Sequence, residues 1–160
     1  MCKKIRHTNA QVIFMQTLIT YLVEDNPTIL TNLIETLSEI AHLEVTAHAA
    51  TQSEANGWLE QHHAHWHLAI VDLFLKQGSG LGILAACRDR EPHQKVVILT
   101  NYATPEIRQR SVALGADAVF DKSTELDGLL DFCIEQANQV GKQPLHKAQR
   151  NTLVRKRLLN

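Results

Sequence analysis

Short, almost wholly apolar runs recur along this chain, and each is closed by polar residues and followed by apolar residues at helical spacing. The first run, Leu18 to Val23, ends at Glu24 and Asp25, and the third, Trp66 to Val71, ends at Asp72. Runs of this kind are typical of strands buried on both faces of a parallel sheet. Five successive βα units predict an α/β fold with a doubly wound, five-stranded parallel sheet and helices on both faces.

The other elements carry signals of their own. Leu43 to Ala47, Val96 to Leu99 and Ala118 to Phe120 are the remaining predicted strands. An oxygen-bearing side chain precedes three helical patterns: Asn26 before Pro27, Thr51 before a capping-box Glu54, and Thr104 before Pro105. Gly115 is predicted to end the fourth helix, and the fifth, from Leu126, is predicted to end before Gly141.

Length and charge predict one domain with short extensions. The 160 residues fit a domain of about 100 to 150 residues with little to spare, so we expect no separate effector domain. We predict an N-terminal extension over residues 1–16, a domain over 17–140 and a basic tail over 141–160. That tail holds six Lys and Arg and no acidic residue. We expect it to be solvated, and binding to nucleic acid is not expected.

The cysteines and the N-terminal residues argue against secretion. Cys2, Cys87 and Cys133 are odd in number and show no metal-type spacing, so a disulfide framework is not expected and a reducing cytoplasm suits the chain. The apolar-leaning stretch 12–23 is interrupted by Gln16 and Thr17, is closed by Glu24 and Asp25, and is too short to cross a bilayer. We therefore predict a cytoplasmic protein with no membrane span.

Two further clusters suggest ligand sites but have simpler readings. His62, His63, His65 and His67 lie close together, and imidazole is a common metal ligand, but no Cys or carboxylate joins them at a metal-site spacing. We expect a solvated loop there. Gly78, Gly80 and Gly82 lack the spacing of a dinucleotide loop and are interpreted as a flexible loop.

The residues that close the apolar runs are candidates for chemistry, because ligands of an open parallel sheet bind outside the carboxyl ends of its strands. These residues are Glu24, Asp25, Asp72, Thr100 and Lys122. Three carboxylates in one crevice repel each other unless a cation joins them, and oxygen ligands suggest Mg²⁺. An aspartate can attack phosphorus while a lysine ammonium neutralises the phosphoryl oxygens and a threonine hydroxyl donates a hydrogen bond.

Four segments, in this order, resemble the receiver family of bacterial response regulators over roughly residues 17–140. LVEDNP at Leu22 to Pro27 resembles its acidic pair, and IVDLFLKQGSGLGIL at Ile70 to Leu84 resembles its acceptor strand and loop. VVILTNYA resembles its switch strand, and GADAVFDKS at Gly115 to Ser123 supplies a lysine. The resemblance implies a flavodoxin-like sheet with strand order 2-1-3-4-5.

The resemblance also implies a role for each residue. Asp72 would be the phospho-acceptor, with Thr100 and Lys122 contacting the phosphoryl group. Asp25 would bind Mg²⁺ directly together with Asp72, Glu24 would bind it through water, and the backbone carbonyl of Phe74 would add a ligand. The expected function is that of a single-domain response regulator, and not of an enzyme that turns over small substrates.

The same resemblance implies partners. The phosphoryl group would come from a histidine kinase or a phosphotransfer protein, and the signal would pass by contact with a downstream protein. The surface formed by the fourth helix, fifth strand and fifth helix would change on phosphorylation, and a homodimer could form through it.

Several positions depart from the family pattern. The switch position three residues before the lysine, where Tyr or Phe is common, is Val119, and Phe120 lies one later. Asn101 and Lys76 replace smaller or cyclic residues, which predicts crowding. Phe74 and Tyr102 lie two residues after Asp72 and Thr100, and with Asn101 they are expected to modulate the site. Aromatic bulk excludes water, which predicts a long-lived phosphorylated state.

Two alternatives stay open. A receiver-like binding module that does not depend on phosphorylation would keep the fold; the intact acids, Thr100 and Lys122 argue against it. A magnesium-dependent phosphohydrolase with an aspartate nucleophile usually has a second aspartate two residues later, where Phe74 stands.

Overall fold

The computed structural model describes residues 16–142, with the backbone alone at positions 141 and 142. The predicted extension, apart from Gln16, and the predicted tail, apart from that backbone, lie outside the described residues, as does Cys2. Strands and helices alternate, as predicted. The strands are β1 (Leu18–Val23), β2 (Leu43–Ala49), β3 (Leu68–Asp72), β4 (Lys95–Thr100) and β5 (Ala118–Asp121). The helices are α1 (Pro27–Ser38), α2 (Gln52–Gln61), α3 (Gly80–Ala86), α4 (Pro105–Ala113) and α5 (Leu126–Lys142).

All five strands form one parallel sheet in the order β2-β1-β3-β4-β5. The predicted fold class and strand order are confirmed. Since chain order and strand order diverge between β1 and β3, the carboxyl ends of these neighbours open on a crevice where the winding reverses.

The sheet is buried on both faces, as the apolar runs predict. Every residue of β3 is buried. On one face Leu22 and Ile70 pack with α1 and α5, and on the other Val23 and Val71 pack with α2 and α3. Burying a side chain of this size stabilises the fold by about 1.5 to 3 kcal/mol, so the central strands fix the positions of the residues that follow them.

The helix caps form as the sequence predicts, with one variation. Asn26 Oδ1 accepts from the N–H groups of Thr28 and Ile29, at 3.0 and 3.1 Å. Thr51 Oγ1 accepts from Glu54 N at 3.2 Å, but the Glu54 carboxylate accepts in return from Ala50 N, one residue before the cap. Thr104 caps α4, and Gly115, with φ of 104°, follows its end.

Some boundaries differ from prediction. The ladder of β3 begins at Leu68 rather than Trp66, because the N–H of Ile19 donates to the ring Nδ1 of His67 instead of to a strand carbonyl. The strand β2 runs two residues beyond Ala47. Helix α5 does not end before Gly141 but continues to Lys142. A glycine inside a helix costs only about 1 kcal/mol relative to alanine, so it does not by itself end one.

Candidate acidic site at the carboxyl edge of the sheet

Three carboxylates converge where β1 and β3 end. Glu24 and Asp25 follow β1 directly, and Asp72 is the last residue of β3, the strand paired with β1. One oxygen of each lies within 4.8 Å of the others. Glu24 and Asp72 are almost fully buried, at 3% and 8% exposed, and Asp25 is half-buried. Strand pairing therefore places three acids in one crevice.

Lys122 reaches into this crevice from the loop after β5. Its Nζ donates to Glu24 Oε2 at 2.6 Å and to Asp72 Oδ2 at 2.9 Å, with 11% of the side chain exposed. Burial lowers the pKa of Lys122, but the hydrogen bonds and charges of Glu24 and Asp72 raise it by more, so the pKa lies above its usual value. The ammonium therefore stays charged between the two acids.

The pKa of Asp72 reflects its burial and the charged groups around it. Burial raises the pKa of Asp72 and the Glu24 charge adds to the rise, while the bonds from Lys122 and from Phe74 N, at 3.3 Å, oppose it. The net pKa is above the ordinary value of an aspartate. Three acidic groups against one ammonium leave an excess of negative charge, which a further cation would relieve. The donors are all oxygens, so the residues fit a hard divalent ion such as Mg²⁺.

Backbone N–H groups hold two of the acids in place. Glu24 Oε1 accepts from Asn26 N at 2.9 Å, so both Glu24 oxygens are engaged by the protein. Asp25 Oδ2 accepts from Lys76 N at 2.7 Å, which ties the end of β1 to the loop after β3. The acids are thus arranged before any ion arrives.

Thr100 completes the edge at the end of β4. It is fully buried, and its Oγ1 accepts from Tyr102 N at 3.2 Å, which leaves the hydroxyl hydrogen able to donate elsewhere. Its carbonyl accepts from Lys122 N at 3.0 Å. The structure thus brings together the side chains of Glu24, Asp25, Asp72 and Lys122, with Thr100 one strand away from Asp72.

The residues expected to modulate the site lie at its rim. Phe74 and Tyr102 are 54% and 63% exposed and contact each other edge to face, with ring centroids 5.2 Å apart. Asn101 is exposed as well. Val119 packs in the core on one face of the sheet. Phe120 lies on the opposite face, where its ring centroid is 6.0 Å from that of Phe132. Neither of these two residues therefore supplies an aromatic ring beside Thr100.

Sequence reasoning missed Gln52. Its Oε1 accepts from Ser79 N at 2.9 Å, inside the loop between β3 and α3. Gly78 and Gly82 lie against the Gln52 side chain, and Gly80 lies against the backbone of β3. The three glycines are therefore close-packed positions and not simply a flexible loop, which corrects the sequence interpretation. The run of glycines was the available signal, but their partner is distant in the chain.

The histidine cluster is only partly a solvated loop. His63 and His65 are exposed, but His62 stacks on Trp58 with centroids 4.2 Å apart, and His67 accepts from the backbone of β1. Among residues 16–142, the one group of three candidate metal ligands is the acidic one. Cys87 and Cys133 are free and buried, and burial raises the pKa of the Cys87 thiol to about 11.

Within residues 16–142, no helix is long and apolar enough to cross a bilayer.

A parallel sheet with strand order 2-1-3-4-5 and acids at its switch point defines a class of α/β proteins that bind ligands at this edge. Residues 20–133, more than half of the chain, match the family model described as the response regulator receiver domain. The chain therefore belongs to the receiver domain family of response regulators, which act in two-component signalling.

Curated relatives support this assignment. The chain is 25% identical over 129 residues to the photosynthetic apparatus regulatory protein RegA of Rhodobacter capsulatus, covering 77% of this chain and 65% of RegA. It is 30% identical over 76 residues to the acid tolerance regulatory protein ActR of Rhizobium meliloti, covering 48% of this chain and 39% of ActR. The chain thus spans less than two thirds of the length of these relatives.

Solved structures share the fold. The NarL signal receiver domain of Mycobacterium tuberculosis superposes with a TM-score of 0.67 at 18% identity, covering 77% of this chain and 98% of that one. The response regulator domain of Thermotoga maritima CheB gives 0.65 at 14% identity, covering 81% and 100%. A DNA-binding response regulator of the LuxR family from Staphylococcus aureus gives 0.64 at 21% identity, covering 78% and 99%.

Proposed function

We propose that this chain accepts a phosphoryl group on Asp72, with Mg²⁺, and passes the signal on by contact with another protein. The observation that carries the proposal is the contact of Lys122 Nζ with both Glu24 and Asp72, at 2.6 and 2.9 Å. An ammonium held among buried carboxylates at a sheet edge is suited to neutralising phosphoryl oxygens as they arrive on Asp72.

In the proposed reaction, an oxygen of Asp72 attacks the phosphorus of a phosphohistidine. The new O–P bond forms as the P–N bond breaks, and the imidazole leaves with the electron pair and takes a proton from solvent. Lys122 then contacts the phosphoryl oxygens, and the hydroxyl of Thr100 donates a hydrogen bond to one of them. The product is an acyl phosphate whose charge is matched by groups already in position.

Mg²⁺ would be held by Asp25, Asp72 and the backbone carbonyl of Phe74, and by Glu24 through water. When bound, the ion would supply positive charge against the carboxylates and the phosphoryl oxygens. Both oxygens of Glu24 already accept protein hydrogen bonds, which supports its indirect role.

The donor would be a histidine kinase or a phosphotransfer protein, and the compartment the cytoplasm. We propose a regulator without turnover of small substrates, whose output surface is formed by α4, β5 and α5. Val112 on α4 and Leu126 and Ile134 on α5 are exposed apolar side chains there, at 58%, 37% and 44%. Such side chains suit a protein partner or a second copy of the chain.

Incubation with Mg²⁺ and acetyl phosphate, followed by intact-mass measurement, tests the proposal. The wild-type chain should gain one phosphoryl mass, Asp72→Asn should gain none, and chelation of Mg²⁺ should abolish the gain. Asp89→Asn, which changes an exposed aspartate beyond α3, is the matched control and should behave as wild type. Because some receivers accept only from their kinase, transfer from a phosphorylated kinase is the second donor to use.

A chain that takes no phosphoryl group from either donor would refute the proposal. It would support the alternative of a receiver-like binding module that acts without phosphorylation. Steady release of phosphate from small phosphate esters would instead support a phosphohydrolase.

A further inference from the structure

The side chain of Gln52 joins helix α2 to the loop between β3 and α3, residues 73–79. Gln52 is the first residue of α2, and its Oε1 accepts from Ser79 N at 2.9 Å. Its own N–H donates to the carbonyl of Gln77 at 3.1 Å. Two hydrogen bonds thus fasten the second half of this loop to α2.

Two glycines make room for Gln52. A methyl group on Gly78 would overlap Cβ of Gln52, and a methyl group on Gly82 would overlap the Gln52 side-chain amide. Gly78 also has φ of 85°, which side chains disfavour. The loop and the start of α3 are therefore shaped around this one side chain.

The first half of the same loop contacts the acidic site. Phe74 N donates to Asp72 Oδ1, and Lys76 N donates to Asp25 Oδ2 at 2.7 Å. Phe74 is bridged to Ser79 across the loop, and Ser79 is the residue that Gln52 holds. Gln52 is thus connected to Phe74 and the acids through one short, hydrogen-bonded loop.

We propose that Gln52 is a positioning residue for the divalent ion, which it never touches. By holding Ser79, it fixes the loop so that the carbonyl of Phe74 and the carboxylate of Asp25 are arranged before Mg²⁺ binds. A loop that is already ordered loses less entropy on binding, so the ion is held more tightly. The inference rests on the proposed function, in that it takes this edge as the magnesium site.

Calorimetric titration of the whole chain with MgCl₂ tests this without a phosphoryl donor. Gln52→Met keeps the length of the side chain and removes the acceptor, and should raise the Kd for Mg²⁺ about fivefold, the effect of one hydrogen bond. Gln61→Met, at the exposed far end of α2, is the matched control and should leave the Kd unchanged.

Gly82→Ala provides a second variant that leaves Gln52 itself intact. The added methyl group should displace the Gln52 amide and raise the Kd for Mg²⁺ by a similar factor. Both changes act through the same hydrogen bond. The Kd of the double variant for Mg²⁺ should therefore be no higher than that of Gln52→Met alone. If Gln52→Met fails to fold, Gly82→Ala decides the question.

Amide exchange at Ser79 separates positioning from a purely structural role. Faster exchange at Ser79 with an unchanged Kd for Mg²⁺ in folded Gln52→Met overturns the inference. A wild-type chain that binds no Mg²⁺ but accepts a phosphoryl group also overturns it, while sparing the acceptor role of Asp72. Mg²⁺ binding that responds to Gln52, in a chain that no donor phosphorylates, supports the inference and refutes the proposed function.

Discussion

The ring of Phe74 contacts the ring of Tyr102 edge to face, with 5.2 Å between centroids, and so joins the segment that follows β3 to the segment that follows β4. Both rings are more than half exposed. Their mutual contact still stabilises the pair by about 0.5 to 1.5 kcal/mol beyond the effect of burial. They stand two residues after Asp72 and Thr100, and we expect them to limit the approach of water to the proposed acyl phosphate.

Opening this aromatic pair should shorten the life of the phosphorylated state. Phe74→Asn replaces the ring by a short polar group that can position an attacking water, so phosphate loss should be about tenfold faster. The loss of phosphoryl mass with time measures this. Tyr102→Phe keeps both rings and should match wild type, whereas slower loss in Phe74→Asn would refute the shielding role.

Removal of Lys122 should destabilise the chain in a way that Mg²⁺ reverses. Lys122→Met leaves Glu24 and Asp72 facing each other without a cation, which should lower the free energy of unfolding by about 3 kcal/mol in EDTA. Denaturant unfolding of wild type and Lys122→Met, with and without Mg²⁺, gives the free energy of unfolding of each. The difference between the two proteins should be smaller when the ion is present.

Lys95→Met is the control for that experiment. Lys95 makes a partly exposed ion pair with Asp117 at 3.8 Å, far from the acids, so its loss should cost less than about 1 kcal/mol and be indifferent to Mg²⁺. Equal losses for the two lysine variants would contradict the assigned role of Lys122.

Acid should weaken the contact between His67 and β1. Burial, and then the charge of His93, lower the pKa of His67, and its Nδ1 must be unprotonated to accept from Ile19 N. The unfolded chain therefore takes up the proton first, so this stability is fully present above about pH 6.5 and is lost as the pH falls through that value toward the lower folded pKa.

His67→Asn retains an acceptor without a titrating ring. Below about pH 6.5, the free energy of unfolding of wild type should fall relative to that of His67→Asn. The relative fall should be less than about 1.4 kcal/mol per pH unit. His65→Asn, at an exposed position nearby, should leave the pH profile unchanged. If the difference between wild type and His67→Asn does not depend on pH, folding does not lower the pKa of His67.

Two glycines should respond to alanine in opposite ways. A methyl group at Gly57, inside α2, meets no atom within 4 Å, so Gly57→Ala should stabilise the fold by about 0.5 to 1 kcal/mol through helix propensity. A methyl group at Gly80 would overlap the carbonyl of Asp72 and approach Cα of Leu73, so Gly80→Ala should destabilise by about 2 kcal/mol or more. Thermal unfolding compares them directly, and a neutral Gly80→Ala would mean that the loop can shift away from β3.

Local patterns proved reliable where a short segment carries its own signal. The first strand was predicted with the bounds that the structure shows. The caps at Asn26, Thr51 and Thr104 form as predicted, because each cap needs only neighbouring residues. Boundaries failed where a distant group intervened. The side chain of His67 accepts a hydrogen bond from the N–H of Ile19, and the strand β3 begins only at Leu68. No local pattern could indicate this contact.

From sequence alone came the parallel sheet, its buried central strands and the polar residues that end them, because period and polarity are local properties of the chain. Tertiary structure alone decided that Lys122 bridges Glu24 and Asp72, that Asp25 is tied to Lys76, and that Gln52 occupies the space left by Gly78 and Gly82. These contacts join residues far apart in sequence. Their distances depend on how strands pair and helices pack, and no spacing along the chain encodes that.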